Sequence, residues 1–124
     1  MTVDHMNDLI KSYIEKITNQ PETLLFDETL AVIDESYVFT ETGFDNGDQR
    51  NEAGQNSGSC KVFAFAQLHQ LSNQQTLHMF AQYYRDDVLS NPNGNDHQNI
   101  RQFMQHDFAG LRFDGQALSS AMSD

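Results

Sequence analysis

One stretch of the chain combines residue types that could bind a ligand. Residues 41–61 contain four glycines and three asparagines, and Phe44 is their one large apolar side chain. Glycines allow tight turns and asparagines bond nearby backbone, so this stretch could form a pocket of N–H groups and carboxamides for a small polar or anionic ligand. Alternatively it could fold over the core with Phe44 as its anchor. The candidate ligand-binding residues are Phe44, Asn46, Asn51, Asn56, Ser59 and Lys61.

Cys60 is the single cysteine of the chain and lies at the predicted start of a helix. The positive end of that helix and Lys61 would lower the pKa of its thiol, and a nearby histidine would make it a nucleophile for acyl transfer. The candidate partners are His69, His78, His97 and His106, among which the spacing does not choose. The alternative is a small buried residue beside Phe63 and Phe65, whose thiol has a raised pKa and no access to reagents.

A second polar group surrounds the predicted turn at residues 91–94. Its members are Asp86, Asp87, Asp96 and His97. Carboxylates could hold a hard cation here, but the spacing is not that of a calcium loop. The structural alternative makes Asp96 a helix cap and pairs Asp86 or Asp87 with an arginine, Arg85 or Arg101. We therefore predict no metal and no cofactor, and the chain also lacks phosphate-loop, dinucleotide, HExxH and GxSxG motifs.

The apolar pattern predicts an α+β fold of one compact domain, mostly helical, with about five helices, a small sheet and a long Gly/Asn-rich loop. The first helix carries one stripe at the helical period, formed by Met6, Leu9, Ile10, Tyr13, Ile14 and Ile17. A second helix is predicted from Asp27. Residues 59–71 are apolar nearly all round, which places a third helix at the centre. Ser72 and Gln75 form a predicted capping box for a fourth helix that continues to Val88, and a fifth follows Asp96.

The predicted sheet joins the extended segment that begins at Tyr37 to the one around Leu111. We place the domain at residues 1–115 and interpret residues 116–124 as a flexible tail. With 124 residues, the chain is long enough for one domain with its own core. A net charge of -11 repels phosphate backbones and anionic lipid, so nucleic-acid and membrane partners are not expected. No apolar run is long enough for a membrane span.

Several motifs together resemble the HopJ type III effector family. They begin with Tyr37-Val38-Phe39-Thr40, Phe44-Asp45-Asn46-Gly47, Asn51, Ala53-Gly54, Asn56 and Gly58-Ser59-Cys60-Lys61. They continue through Phe63-Ala64-Phe65-Ala66, Thr76-Leu77, residues 84–89, Pro92-Asn93-Gly94 and Asp96-His97. They end with Asn99-Ile100-Arg101, Phe103-Met104 and residues 110–114. The resemblance covers roughly residues 26–115 and implies a bacterial protein related to a secreted effector, without implying a particular biochemical activity.

Three hypotheses on function follow. The first is a HopJ-like domain that binds a small polar ligand or a protein partner through residues 41–61. The second is a cysteine-dependent enzyme that uses Cys60, and the third is an interaction domain with no small-molecule site. The opening amphipathic helix differs from the flexible polar segment that a type III export signal needs, which favours the cytoplasm of the producing bacterium. Secretion through a type III system is the alternative that the resemblance implies, and the oligomeric state stays open.

Overall fold

Five α-helices and five three-residue strands form the fold of the part of the chain that the structure describes, residues 2–120. The structure is a computed structural model and describes side chains from residue 8 onward. The helices are α1 (Thr2–Asn19), α2 (Phe26–Ser36), α3 (Ser57–Leu68), α4 (Asn73–His78) and α5 (Gln98–His106). The strands are β1 (Tyr37–Phe39), β2 (Phe44–Asn46), β3 (Gln49–Asn51), β4 (Leu111–Phe113) and β5 (Leu118–Ser120). This arrangement confirms the predicted α+β class.

The apolar stripe of α1 faces the core, as its spacing predicted. Ile10, Tyr13 and Ile17 are buried, and α1 packs against α2 and α4. The Tyr13 hydroxyl lies 2.5 Å from Thr29 Oγ1, which donates to the Met79 carbonyl oxygen at 2.8 Å. Burial raises the pKa of the Tyr13 hydroxyl, so it keeps its proton. These hydroxyls join α1 and α2 to the residue that follows α4.

Helix α3 is the central element of the fold, as its all-round apolar character predicted. Its residues from Val62 to Ala66 are all buried. The Phe63 ring lies 5.4 Å from that of Phe80 and 5.1 Å from that of Phe103, measured between centroids. Aromatic side chains at such distances dominate the energetics of a core. On the other side, the Tyr13 ring of α1 lies 6.0 Å from that of Phe65, so elements that precede and follow α3 both pack onto it.

The predicted fourth helix begins where expected but ends earlier than predicted. The Gln75 backbone N–H donates to Ser72 Oγ at 3.0 Å, and the Ser72 N–H donates to Gln75 Oε1 at 2.8 Å, so the capping box is confirmed. The prediction that the helix continues to Val88 is wrong. Helix α4 ends at His78, Ala81 has a φ of 55°, and a separate π-helical turn covers Tyr83–Val88. A left-handed residue cannot continue an α-helix, and the change of direction reorients Tyr83.

The sheet differs from the predicted pairing. Strands β1 and β4 form where extended structure was expected, but they do not pair with each other. Strand β1 pairs antiparallel with β5, whereas β4 pairs antiparallel with β2 in a second sheet of order β3-β2-β4. Strands of three residues carry little register information, so the helices that position them decide their partners. Helix α5 packs against β2 and β3, and the chain that follows it leads into β4 beside β2.

Residues 116–120 correct the interpretation of residues 116–124 as a flexible tail. Ala117 and Leu118 are buried, and Leu118 lies opposite Phe39 in the pairing of β1 with β5. Because the apolar side chains and the strand hydrogen bonds both face the domain, this segment is part of it. Residues 121–124 lie outside the described residues.

Part of the glycine- and asparagine-rich stretch is a β-hairpin, which the sequence did not predict. Strands β2 and β3 are joined by Gly47 and Asp48, with Asn46 opposite Gln49. Gly47 has a φ of +59°, a conformation that two-residue hairpin loops require and that glycine adopts without strain. Phe44 is fully buried, as expected of an anchor. The stretch is therefore ordered around the core, as the Phe44 interpretation requires.

Candidate functional site

Four asparagines from three parts of the fold form a connected cluster. We call Asn46, Asn51, Asn56 and Asn99 the asparagine cluster. Asn51 Nδ2 donates to Asn99 Oδ1 at 3.1 Å, and Asn99 Nδ2 donates back to Asn51 Oδ1 at 2.9 Å. Asn46 Nδ2 donates to both the carbonyl oxygen and Oδ1 of Asn99, at 2.8 and 3.0 Å. The cluster fastens the β2–β3 hairpin to the first turn of α5.

The asparagine cluster runs from the interior to the surface. Asn46 and Asn51 are fully buried, Asn99 is 6% exposed, and Asn56 is exposed. Asn56 Nδ2 donates to Asn51 Oδ1 at 2.6 Å and so continues the network outward. Buried carboxamides are tolerated only where their hydrogen bonds are made, and here most are. Asn46 and Asn51 are thus structural, whereas Asn56 is accessible to a ligand.

A cleft of about 480 Å³ opens beside this cluster, between the start of α3 and the start of α5. Its lining residues are Phe26, Gln49, Asn56, Gly58, Ser59, Phe80, Tyr83, His97, Gln98, Asn99 and Ile100. This volume is in the range of small-molecule sites, which is about 300 to 1,000 Å³. The cleft is the candidate functional site of the described residues.

One wall of the cleft is aromatic, and we define it as Phe26, Phe80, Tyr83 and His97. The Tyr83 ring lies between two others, with its centroid 5.1 Å from that of Phe26 and 5.2 Å from that of His97. The Phe26 and Phe80 rings are parallel to within 7°. The π-helical turn positions Tyr83 here, and the Phe26 N–H is held by Gln82 Oε1 at 2.9 Å. These contacts between the rings stabilise the arrangement of the wall.

The other wall is polar but carries no formal charge. Gln49, Asn56, Ser59 and Gln98 line it, and the floor includes the buried Asn99. The chain has 25 residues that are Lys, Arg, Asp or Glu, 7 basic and 18 acidic, yet none of them is among the lining residues. The cleft is therefore built to contact uncharged groups through carboxamides, a hydroxyl and rings.

Two strained residues set the direction of the helices that meet at the cleft. Asn56 and His97 precede α3 and α5, and both have left-handed backbones, with φ of 53° and 51°. Asparagine and histidine are among the residues that adopt this conformation most often outside glycine. Such strain is concentrated at functional sites, where the surrounding structure enforces it.

The sequence assigned the cap of α5 to Asp96, and the structure corrects this. His97 is the residue that precedes α5, and no side chain caps the helix. Asp96 Oδ1 instead accepts a hydrogen bond from Arg101 Nη2 at 2.6 Å, and this contact lowers the pKa of the Asp96 carboxyl. His97 Nε2 lies 3.0 Å from Asp87 Oδ2. In residues 8–120, no group of three or more His, Cys, Asp or Glu side chains is placed to hold a metal ion.

Only part of the predicted ligand-binding set reaches the cleft. Asn56 and Ser59 line it, whereas Phe44, Asn46 and Asn51 are interior. Lys61 points elsewhere: its ammonium lies 2.8 Å from Asp34 Oδ1 and 5.1 Å from the centroid of the Phe39 ring. Sequence reasoning missed the aromatic wall and Asn99, because Phe26, the pair Phe80 and Tyr83, and the start of α5 are distant in the chain and no spacing links them.

Cys60 packs in the core beneath the loop. It is 2% exposed, and its Sγ lies 3.9 Å from the Thr42 carbonyl oxygen. Burial raises the pKa of the Cys60 thiol to about 11. The four candidate histidines have other neighbours: Tyr37 for His69, Gln74 for His78, Asp87 for His97 and the backbone turn at Gly47 for His106. The geometry assembles no Cys–His pair in the described part of the chain.

We expect Cys60 to react slowly with a small alkylating reagent in the folded protein. Raising the thiol pKa from its ordinary value of 9.0 to about 11 lowers the thiolate fraction at neutral pH about a hundredfold, and burial restricts access further. The test is the alkylation rate from about pH 5 to about pH 9, in native protein and in urea. The native rate should rise steadily with pH without a plateau. Rapid labelling near neutral pH would show an exposed, activated thiol, and Cys60→Ser supplies the blank.

The fold and the cleft together define an α+β domain with a preformed cavity of ligand size. The chain belongs to the HopJ type III effector protein family, whose model matches residues 10–118. It is also similar to a solved structure, a crystal structure described as that of the unknown function protein VPA0580. The two chains are 43% identical with a TM-score of 0.86, and the match covers 89% of this chain and 92% of the other. No curated protein is significantly similar to the chain.

Within the described residues, no helix has both the length and the apolar character needed to cross a membrane. Family membership and the similar structure of unknown function make this a HopJ-like protein, and neither comparison specifies an activity.

Proposed function

We propose that this protein binds a small, uncharged ligand in the cleft between the starts of α3 and α5. One observation carries the proposal: a cavity of about 480 Å³ is lined by aromatic rings together with uncharged polar side chains. Concave sites with apolar rings and a few placed polar groups are the usual form of ligand pockets. The ligand would contact the 41–61 stretch through Gln49, Asn56, Gly58 and Ser59.

The contacts of the elements around the cleft support this proposal. The asparagine cluster holds the hairpin against α5, and the central helix α3 provides the third side. A pocket that is already formed spends less binding free energy on ordering its own side chains. The interaction-domain hypothesis requires the loop's own side chains to fill the space beside it. Phe44, Asn46 and Asn51 are buried in the interior and do not line the cleft, so they leave it open.

Enzymatic use of Cys60 is not favoured by any contact of that residue. Its thiol is buried, its pKa is raised, and it lies outside the lining of the cleft. A nucleophile needs a base within hydrogen-bond reach and a substrate site in front of it.

The experiment is a fragment titration followed by amide signals of isotope-labelled protein. We expect binding fragments to shift the backbone signals of Gly58, Ser59 and Gln98 together, because these residues surround the cavity. Ser59→Phe should fill the cleft and abolish the shifts. Ser57→Phe is the matched control, since Ser57 begins the same helix but does not line the cavity. Shifts that persist in Ser59→Phe, or that map only to other surfaces, would contradict the proposal.

We also propose the cytoplasm of the producing bacterium as the place of action. Support comes from α1, whose Ile10, Tyr13 and Ile17 are packed into the core, so that this helix is part of the folded domain. The family name raises secretion as the alternative. Finding the protein in the medium of intact cells with a working type III system, and not in that of a secretion-deficient strain, would overturn this part.

A further inference from the structure

The lining of the cleft also indicates what class of ligand fits it. Resting on the proposed function, we infer that the ligand is a planar heteroaromatic ring with an uncharged amide edge. By amide edge we mean a hydrogen-bond donor and an acceptor side by side, as in a nucleobase or an aromatic carboxamide. Three properties of the cleft lead to this class: its rings, its unpaired polar groups and its lack of charge.

The rings favour a planar ligand. Tyr83 is 36% exposed, and its ring is inclined by only 27° to that of His97. Phe26, on the other side of Tyr83, is parallel to the buried Phe80 ring at 6.0 Å. A flat aromatic ring can pack against such a wall with an offset-stacked or edge-to-face geometry. Stacking of this kind contributes to the binding of unpaired bases by proteins and tolerates different base identities.

The polar wall offers groups that the protein itself does not use. Among the described residues, the Gln49 carboxamide and the Ser59 hydroxyl have no hydrogen-bond partner, whereas the Asn99 carboxamide is committed to Asn46 and Asn51. A carboxamide presents an acceptor and a donor next to each other. It therefore forms two parallel hydrogen bonds with a ligand edge of the same kind, as glutamine does with adenine.

The charges around the cleft disfavour an ionised ligand. No Lys or Arg lines the cavity to neutralise an anion, and no Asp or Glu lines it to neutralise a cation. The one ionisable lining residue, His97, already has Asp87 as its partner. Behind the wall, Asp87 lies 3.0 Å from His97, and the whole chain has a net charge of -11, so an anion would also be repelled. An ionised ligand would lose hydration here without gaining a partner.

The test compares nicotinamide with nicotinate, which differ in having a neutral carboxamide or a carboxylate on the same ring. Uracil serves as a second neutral probe, and methyl glucoside represents an uncharged but non-planar ligand. In the native protein, nicotinamide and uracil should shift the Gly58, Ser59 and Gln98 signals at millimolar concentration, about tenfold more tightly than nicotinate or the glucoside.

Variants then locate the amide edge. Gln49→Glu, which replaces the donor by a carboxylate oxygen, should weaken nicotinamide binding about fivefold or more. Gln55→Glu is the matched control, because Gln55 is exposed, lies outside the cleft and keeps its acceptor for the Glu52 N–H. The comparison of probes on the native protein needs no variant and stands if Gln49→Glu misfolds.

The outcomes separate the two proposals. If nicotinate or the glucoside shifts the cleft signals as strongly as the neutral heteroaromatics, the ligand class is overturned and the binding function stands. If the fragment titration shifts no cleft signal with any probe, the proposed function is overturned and this inference with it.

Discussion

Replacing Asn99 by alanine is expected to lower the free energy of unfolding by about 3 kcal/mol and the melting temperature by about 10 °C. The Asn99 side chain accepts hydrogen bonds from both Asn46 and Asn51 and donates one to Asn51. Its loss removes these three hydrogen bonds, although Asn46 keeps the Asn99 backbone carbonyl and Asn51 keeps Asn56. Each lost hydrogen bond costs about 1 kcal/mol. Urea and thermal unfolding, followed by circular dichroism, measure the change.

The control is Asn95→Ala, an exposed asparagine on the approach to α5. Its contact with Gln98 uses the backbone carbonyl, which alanine retains. We expect its free energy of unfolding to change by less than about 0.5 kcal/mol. Equal effects of Asn99→Ala and Asn95→Ala would mean that the asparagine cluster contributes no stability beyond that of solvated amides.

Gly47→Ala should destabilise the protein by about 3 kcal/mol, because two penalties coincide. Gly47 has a φ of +59°, which costs an L-residue about 1 kcal/mol or more. A Cβ atom there would also lie 2.2 Å from the His106 ring and 2.5 Å from Gln102 Oε1. Relief of this overlap requires the His106 and Gln102 side chains to shift, or the hairpin to move away from the end of α5.

Gly54→Ala isolates the backbone penalty, since Gly54 also has a positive φ, of +88°, but a Cβ there meets only Glu41 at 3.5 Å. We expect it to cost about 1 kcal/mol. The difference between the two variants in urea unfolding then gives the contribution of the contact between the hairpin and α5. A Gly47→Ala protein no less stable than Gly54→Ala would show that this contact yields easily.

The sequence was most informative where a local rule decides the structure. The stripe of α1 and the Ser72–Gln75 capping box depend on spacings of three and four residues, and both are confirmed. The break at Ala81 was not predictable, because alanine is the strongest helix former and its φ of 55° is imposed by packing. The partners of β1 and β4 depend on contacts more than 60 positions apart, which periodicity does not encode.

The candidate site was likewise predictable only in part. Its asparagines attracted attention because they recur among glycines, yet the residue type did not distinguish Asn51, which is buried, from Asn56, which is exposed. The aromatic wall combines Phe26, the neighbouring Phe80 and Tyr83, and His97, which come from three separate segments. The sequence offered His97 only as a partner for Cys60 or a cation, and nothing in it linked the three rings to one another, so the cleft is recognised only in the tertiary structure.

The asparagine cluster has a consequence for the conditions under which the cleft keeps its shape. Carboxamides neither gain nor lose protons in the physiological range, and hydrogen bonds between neutral groups are little affected by ions in solution. The surface, with a net charge of -11, responds to acid and to salt, but the junction between the hairpin and α5 does not depend on charge. The hydrogen bonds of the asparagine cluster should therefore keep their geometry over changes in pH and salt that alter the charge of the surface.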